Sequence, residues 1–338
     1  MARIAVIGAG AFGTALAIYS HSVGHDVRVW CFEQELPGLI RDKGENEPYL
    51  PGNPIDPAIE FSNDIAAVMA GADLVLIMCP SSHVRNTSKA IAPYMPAGIL
   101  IASAAKGIEN GTLQLMSQVL AETLPAHIDS LAYLSGPSFA KDLAAGLPTN
   151  IACAANDYQV ALQVQDLLHS PRLRVYTSDD VIGVELGGAV KNIIAIACGA
   201  SDALGMGASA HASLMTRGLA EITRLGVALG ADPITFLGLA GVGDLVLTCT
   251  CDLSRNRTFG KRLAGRETPD DILSSQRAVA EGYVTVKAVH ALKQKMNVDM
   301  PITDAVYRVC YEGSAFREEA VNLSSRDKKD EFQGMRGR

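Results

Sequence analysis

The chain has 338 residues, 48% hydrophobic and 19% charged, with a formal net charge of −7. That length suits two domains, the apolar fraction supplies a sizeable core and excludes global disorder, and the acidic balance excludes a nucleic-acid surface, so any phosphate site is a local basic pocket. The 7 cysteines are odd in number and mostly set among apolar residues, which excludes a disulfide framework and fits buried thiols in a reducing cytoplasm.

In chain order, Arg3 to Ile7 is a short apolar, β-branched run that predicts a buried parallel strand. The glycines that follow it set the stretch apart from a signal peptide. Gly8-x-Gly10-x-x-Gly13 leads into a helix over Thr14 to Val23, ended by Gly24, and a second strand over Asp26 to Trp30. Strand, glycine turn, helix and strand in about 30 residues is the setting in which this spacing binds a dinucleotide. Gly8 makes the turn, Gly10 lets a pyrophosphate reach backbone N–H groups, and Gly13 lets the helix approach the strand. Ala11 and Phe12 complete the loop, and the helix N-terminus adds partial positive charge. Past the second strand come Phe32, Glu33 and Glu35, with no arginine or lysine before Arg41. Two carboxylates would repel a 2′-phosphate, so NAD is expected over NADP.

Further strands are predicted over Asp73 to Met78 and Ile99 to Ser103, with connecting helices or turns over Ala66 to Ala70 and Val84 to Tyr94. Lys106 stands just past the second of these strands, where open parallel sheets bind ligands. Leu131 to Leu134 and Thr149 to Ala154 add two more strands. Between them Ser135-Gly136-Pro137-Ser138-Phe139-Ala140 is a turn of small groups that a cofactor could approach.

From about Asp179 the pattern turns helical, over Val181 to Ala200, Ala210 to Leu229 and Ser275 to Lys295. Lys191 and Asn192 interrupt an apolar helix. One reading is a lysine snorkelling to the surface. The other is an amine whose pKa is lowered by burial, or by a cation such as Lys106, and which works as an acid/base near neutral pH. Gly187 and Gly188, one turn earlier, predict close packing against another element. Between Gly241 and Gly260, an acid (Asp244), hydroxyls (Thr248, Thr250, Ser254) and the cluster Arg255, Asn256, Arg257 fall within 14 residues. Arginine forks match phosphate or carboxylate, and a solvated basic turn is the alternative. Cys249 and Cys251 have no second cluster and make a poor zinc site, so no metal is expected. The division expected is residues 1–180 for the dinucleotide, 181–325 for a helical substrate domain, and a charged, mobile tail over 326–338. No apolar run of the ~20 residues needed to span a bilayer stands out, so no membrane insertion is expected.

Several segments together resemble the bacterial type of NAD(P)-dependent glycerol-3-phosphate dehydrogenase. They are Gly8 to Gly13, Lys106-Gly-Ile-Glu109, Leu134 to Ala140, Glu185 to Asn192, Gly243 to Thr248, Ser254 to Arg257 and Val279-Ala-Glu-Gly282. They span nearly the whole chain in family order. The resemblance implies an α/β Rossmann-type domain with a parallel-rich sheet followed by an all-α domain of the 6-phosphogluconate dehydrogenase-like C-terminal fold, with the active site in the cleft between them. It implies reversible hydride transfer between a nicotinamide and C2 of dihydroxyacetone phosphate or glycerol 3-phosphate, supplying phospholipid synthesis from a homodimer. It makes Lys191 the general acid/base, with Lys106, Asp244 and Asn192 around the reacting oxygen. Thr248, Ser254, Arg255 and Asn256 would hold the hydroxyls and phosphate, and Gly136 and Ser138 the substrate side. Ala140, Arg255, Val279 and Glu281 would reach the cofactor, beside Gly8, Gly10, Ala11, Phe12, Gly13, Phe32, Glu33 and Lys106. Many bacterial members carry an arginine after the tryptophan of the second strand; Cys31-Phe32-Glu33 stands there instead, which puts an NADP preference in doubt. A β-hydroxyacid dehydrogenase and a non-catalytic NAD-sensing regulator share the scaffold, but neither accounts for Gly-Asp-Leu together with Ser-Arg-Asn-Arg.

Overall fold

Ile4, Ala5, Val6 and Ile7 are all fully buried, as a parallel strand covered on both faces requires. They belong to β1 (Arg3–Ile7), which lies inside an eight-stranded sheet in the computed structural model, whose described residues are 1–275, 280–328, 330 and 331. The other strands are β2 (Asp26–Trp30), β3 (Glu60–Ser62), β4 (Leu74–Ile77), β5 (Leu100–Ser103), β6 (Leu131–Ser135), β7 (Thr149–Ala155) and β8 (Leu173–Ser178). Their order is 3-2-1-4-5-6-7-8. All neighbours run parallel except β6 and β7. Chain direction reverses its side of departure between β1 and β4, the switch point where such sheets open a crevice beyond their carboxyl ends. Ile7 is in register with Trp30 and with Ile77, so the loops leaving β1, β2 and β4 emerge together.

The chain divides into two compact units, and the division is not the single cut expected after residue 180. The first unit is Met1–Ala105 with Met116–Val181; the second takes Lys106–Leu115 as well as the chain from Ile182 onward. The reason is hydrophobic. Ile108 and Leu115 are joined by a β-bridge and bury into the second core beside Leu186, Val190 and Val289. Lys106 therefore belongs to the helical unit, although it follows a strand of the sheet.

The second unit is helical among the described residues outside that bridge. Its helices span Val181–Ala203, Gly207–Ala228, Asp244–Thr250, Arg255–Ala264, Pro269–Ser274, Glu281–Lys295, Pro301–Tyr311 and Phe316–Ser324. The first is long and apolar enough to cross a membrane, with a mean hydropathy of 1.7, yet 94% of that stretch is buried in the protein, which is the signature of a core helix. The helix expected from Ser275 starts at Glu281; Ser275 instead ends the helix Pro269–Ser274. The tail expected to be mobile from 326 is anchored at its start. Arg326 Nη2 donates to both carboxylate oxygens of Asp299, at 2.9 and 3.1 Å. The backbone carbonyl of Glu331 accepts from Arg217 Nη1 at 3.0 Å.

Candidate active site

In the first unit the three glycines do different work. Gly8 has φ +121, and a Cβ there would press on the backbone of Met78 and Cys79 at 3.1 Å. A Cβ at Gly13 would lie 2.0 Å from the Gly8 carbonyl oxygen, so only hydrogen lets the helix Ala11–Ser22 sit on this turn. Gly10 faces open space within 4 Å and forms the N-cap without a side-chain hydrogen bond. The first N–H groups of the helix, around Ala11 and Phe12, are thus left for an anion. Asn46, which sequence reasoning passed over, braces the loop by donating to Ala9 O and Thr14 Oγ1, both at 2.8 Å. At the end of β2, Phe32 is 76% exposed and packs its ring edge-on to Trp30. Glu33 follows, with its Oε1 accepting a hydrogen bond from the Tyr49 hydroxyl. This constellation fits a dinucleotide: a turn too tight for side chains, an uncapped helix start, an exposed aromatic ring and an acid beyond it. On the turn after β6, Gly136 has φ +138, Ser138 donates to the Gly136 carbonyl at 3.1 Å, and Ala140 begins a short helix.

In the second unit the polar residues of the helix Val181–Ala203 meet the helix Asp244–Thr250. Gly187 makes that meeting possible: a Cβ there would sit 2.2 Å from the carbonyl oxygen of Ala240, in the turn leading to Asp244. Asp244, 1% exposed, lies between two ammonium groups. Lys106 Nζ donates to Oδ2 at 2.7 Å and Lys191 Nζ to Oδ1. Lys191 also donates to Thr248 Oγ1 at 2.9 Å, and the Thr248 hydroxyl donates to the Asp244 carbonyl at 2.6 Å. Thr248 is thereby left as an acceptor that orients the lysine.

Burial pushes the Lys191 amine down to about 8; Asp244 opposes that shift and Lys106 adds to it. Burial alone would raise the Asp244 carboxyl, but Lys106 and Lys191 together outweigh it and hold the group below the usual carboxylate range. The snorkelling alternative for Lys191 is excluded, since the residue is only 6% exposed.

Asn192 and Asn256 are also drawn together. Asn256 accepts from the Gly282 backbone N–H at 2.8 Å and donates to Asn192 Oδ1 at 2.9 Å. That fixes Asn192 with its own amide hydrogens turned away from Asn256. Ser254 caps the helix Arg255–Ala264 by accepting from Arg257 N at 3.2 Å, which leaves its hydroxyl hydrogen to donate. The arginine cluster splits. Arg255 is exposed and makes no ion pair among the described residues, whereas Arg257 is engaged by Asp202 and Asp252. Glu281 is the first residue of its helix, and Val279 lies outside the described residues. Cys249 is fully buried, and its hydrogen bond with Cys198, added to burial, raises its thiol well above the ordinary range. It is a packing residue. No cluster suited to a metal occurs among the described residues.

Two family models together match most of the chain. The N-terminal model of NAD-dependent glycerol-3-phosphate dehydrogenase matches residues 3–161, and the C-terminal model matches 180–321. The chain belongs to the NAD-dependent glycerol-3-phosphate dehydrogenase family. Relatives carrying the name glycerol-3-phosphate dehydrogenase, NAD(P)+, include one from Citrifermentans bemidjiense, 47% identical over 97% of this chain and 98% of its own. Another, from an Anaeromyxobacter strain, is 48% identical over 98% of this chain and 100% of its own. A solved glycerol-3-phosphate dehydrogenase from Coxiella burnetii is 39% identical with a TM-score of 0.92, covering 96% of this chain and 99% of that one. The fold of the glycerol-3-phosphate dehydrogenase family, a Rossmann-type sheet domain followed by a helical domain, is the fold of this chain.

Proposed function

We propose that the chain is an NAD(P)-dependent sn-glycerol-3-phosphate dehydrogenase that interconverts dihydroxyacetone phosphate and glycerol 3-phosphate in the cytoplasm and supplies phospholipid synthesis. The observation that carries this reading, given the family, is the buried Lys191 sharing Asp244 with Lys106. The loop from Gly8 through Gly10, Ala11, Phe12 and Gly13 would hold the pyrophosphate of the cofactor, with Phe32 and Glu33 at its adenosine end and Ala140, Arg255 and Glu281 as further contacts. When bound, the nicotinamide supplies or accepts the hydride at C2 of the substrate.

The protein's own part is the proton. An amine nitrogen bonded to Cε has three remaining positions. In Lys191 two of them point at Asp244 and Thr248. The third carries a lone pair in the neutral form and a proton in the charged form, and this is the position offered to the substrate oxygen. The neutral amine takes the C2 hydroxyl proton during oxidation, and the ammonium returns it during reduction. Lys106 and the Asn192 amide would stabilise negative charge on that oxygen. Arg255, Ser254 and Asn256 would present donors for the phosphate, and Gly136 and Ser138 would contact the substrate.

A pKa near 8 gives the two directions opposite pH profiles. kcat/KM for glycerol 3-phosphate oxidation is expected to rise with pH and level off above about 8, because the base form is needed. kcat/KM for dihydroxyacetone phosphate reduction is expected to be level below about 8 and to fall above it. Initial rates from pH 6 to 10 in both directions check this; two profiles of the same sign would remove Lys191 from its role.

For the cofactor we propose NAD over NADP. Glu33 and Glu35 set negative charge at the end of β2, and Tyr49 steadies Glu33 there. A coupled assay of dihydroxyacetone phosphate reduction with both cofactors tests activity and preference at once. Turnover with a larger kcat/KM for NADH is expected. A clear advantage for NADPH overturns the preference, and no turnover with either overturns the function.

A further inference from the structure

Arg255 and Arg257 lie in the same short cluster, yet the fold treats them differently. Arg257 lays a side-on fork on Asp202, with Nε to Oδ2 at 2.9 Å and Nη2 to Oδ2 at 2.6 Å. Its remaining arm, Nη1, meets Asp252, which also receives Lys261 Nζ at 2.9 Å. The other oxygen of Asp202 is bonded to His211 Nδ1 at 2.9 Å. The side chain of Arg257 is 12% exposed, so its guanidinium is occupied and largely withdrawn from solvent. Arg255, two residues earlier and so on nearly the opposite side of the helix, is exposed.

The helix that carries both arginines is fitted to the helix Val181–Ala203, which carries Lys191 and Asp202. A Cβ at Gly199 would lie 1.9 Å from the carbonyl oxygen of Arg257, and one at Gly260 would lie 2.0 Å from that of Ile196. The two backbones therefore touch, but a contact between glycines and carbonyls resists neither rotation nor sliding by charge. The Asp202–Arg257 fork supplies that restraint: it is charge-assisted, planar and orientation-dependent. It sits one residue beyond Asn256, whose amide is bonded to Asn192 of the same facing helix.

We infer that Asp202 is a positioning residue for the phosphate end of the substrate. By taking Arg257 out of the ligand site it clamps the start of the helix Arg255–Ala264, so that Arg255 and Asn256 present their donors in one fixed orientation. His211 completes the clamp by holding the second carboxylate oxygen. The inference rests on the proposed phosphate-bearing substrate, and it concerns a residue that makes no contact with the reacting atoms.

The test compares a substrate with the phosphate to one without it. For wild type, Asp202→Asn and Arg257→Lys, kcat/KM is measured in the reducing direction with dihydroxyacetone phosphate and with dihydroxyacetone. Asn keeps the shape of Asp but loses its charge, while Lys keeps the charge of Arg but loses the fork. In both variants the ratio of the two kcat/KM values is expected to fall about tenfold, the size typical of removing one member of a charged network. The loss should lie mainly in KM for dihydroxyacetone phosphate. Asp202→Glu, which restores a carboxylate, should recover part of it. If the ratio in the variants stays within about twofold of wild type, even while overall activity drops, Asp202 is only a structural ion pair and the inference is overturned. If wild type itself does not favour the phosphorylated substrate, it is the proposed function that fails.

Discussion

Lys191→Ala is expected to lower kcat in both directions by ~10³-fold, within the 10²–10⁴ range typical of a lost general acid/base. NADH binding should stay near wild type, because no residue of the glycine loop is touched. The comparison needs Lys191→Met beside it, since removing a buried ammonium takes one of two lysine donors from Asp244 and the lysine donor from Thr248, and Met retains most of the packing. Steady-state rates with cofactor affinity by fluorescence quenching check it. Turnover within a few-fold of wild type in either variant would remove Lys191 from the chemistry.

Asp244→Asn is expected to be costly twice over. Asp244 is the counter-ion for two ammonium groups, one of them buried. Breaking a buried pair by removing one partner typically costs about 3–5 kcal/mol. The sign with pH follows from which state holds the proton. With Asp244 gone, nothing opposes the burial that lowers Lys191, so the folded protein binds fewer protons than the unfolded chain from neutral pH up to the ordinary lysine range. Wild-type Lys191 keeps its proton up to about 8, so the stability deficit of the variant should shrink as pH rises from neutral towards 8 and level off above it, where both folded lysines are neutral. Reduction, which needs the Lys191 ammonium, should be lost at neutral pH before oxidation is. Thermal unfolding of wild type and Asp244→Asn across pH 6.5 to 9.5 checks this. A deficit that stays constant or grows between pH 6.5 and 8 would mean that Asp244 does not carry the charge of the lysine pair.

The sheet was largely legible because its signals are local. The run that forms β1 is apolar after Arg3, β2 alternates charged residues with buried valines, and the two end at a glycine and a cysteine turn. The strands passed over are β3, three residues with no fully buried side chain, and β8, whose alternating burial marks a strand covered on one face only. The reversal at β7 was not legible at all, since side-chain alternation is the same for a strand run in either direction. Ser275 lies at the end of the helix Pro269–Ser274 and not at the start of the helix Glu281–Lys295, a boundary that the apolar pattern does not mark. In the site, Lys191 stood out as a charge in an apolar helix. Lys106 stood out only by its place after a strand, and its bond to Asp244 spans 138 residues of sequence. Asp202 and Asn46 gave no signal, because a residue that steadies another looks like any polar residue until its partner is known.

The stretch Lys106–Leu115 returns to the sheet unit after ten residues in the helical one. The chain therefore passes from one unit to the other three times, and the helical unit is not a terminal module. A gene segment that begins at residue 182 would encode every helix of that unit and still lack one of the two cations on Asp244 and two side chains of its core. A single cut at that boundary therefore separates Lys106 from the carboxylate it pairs with.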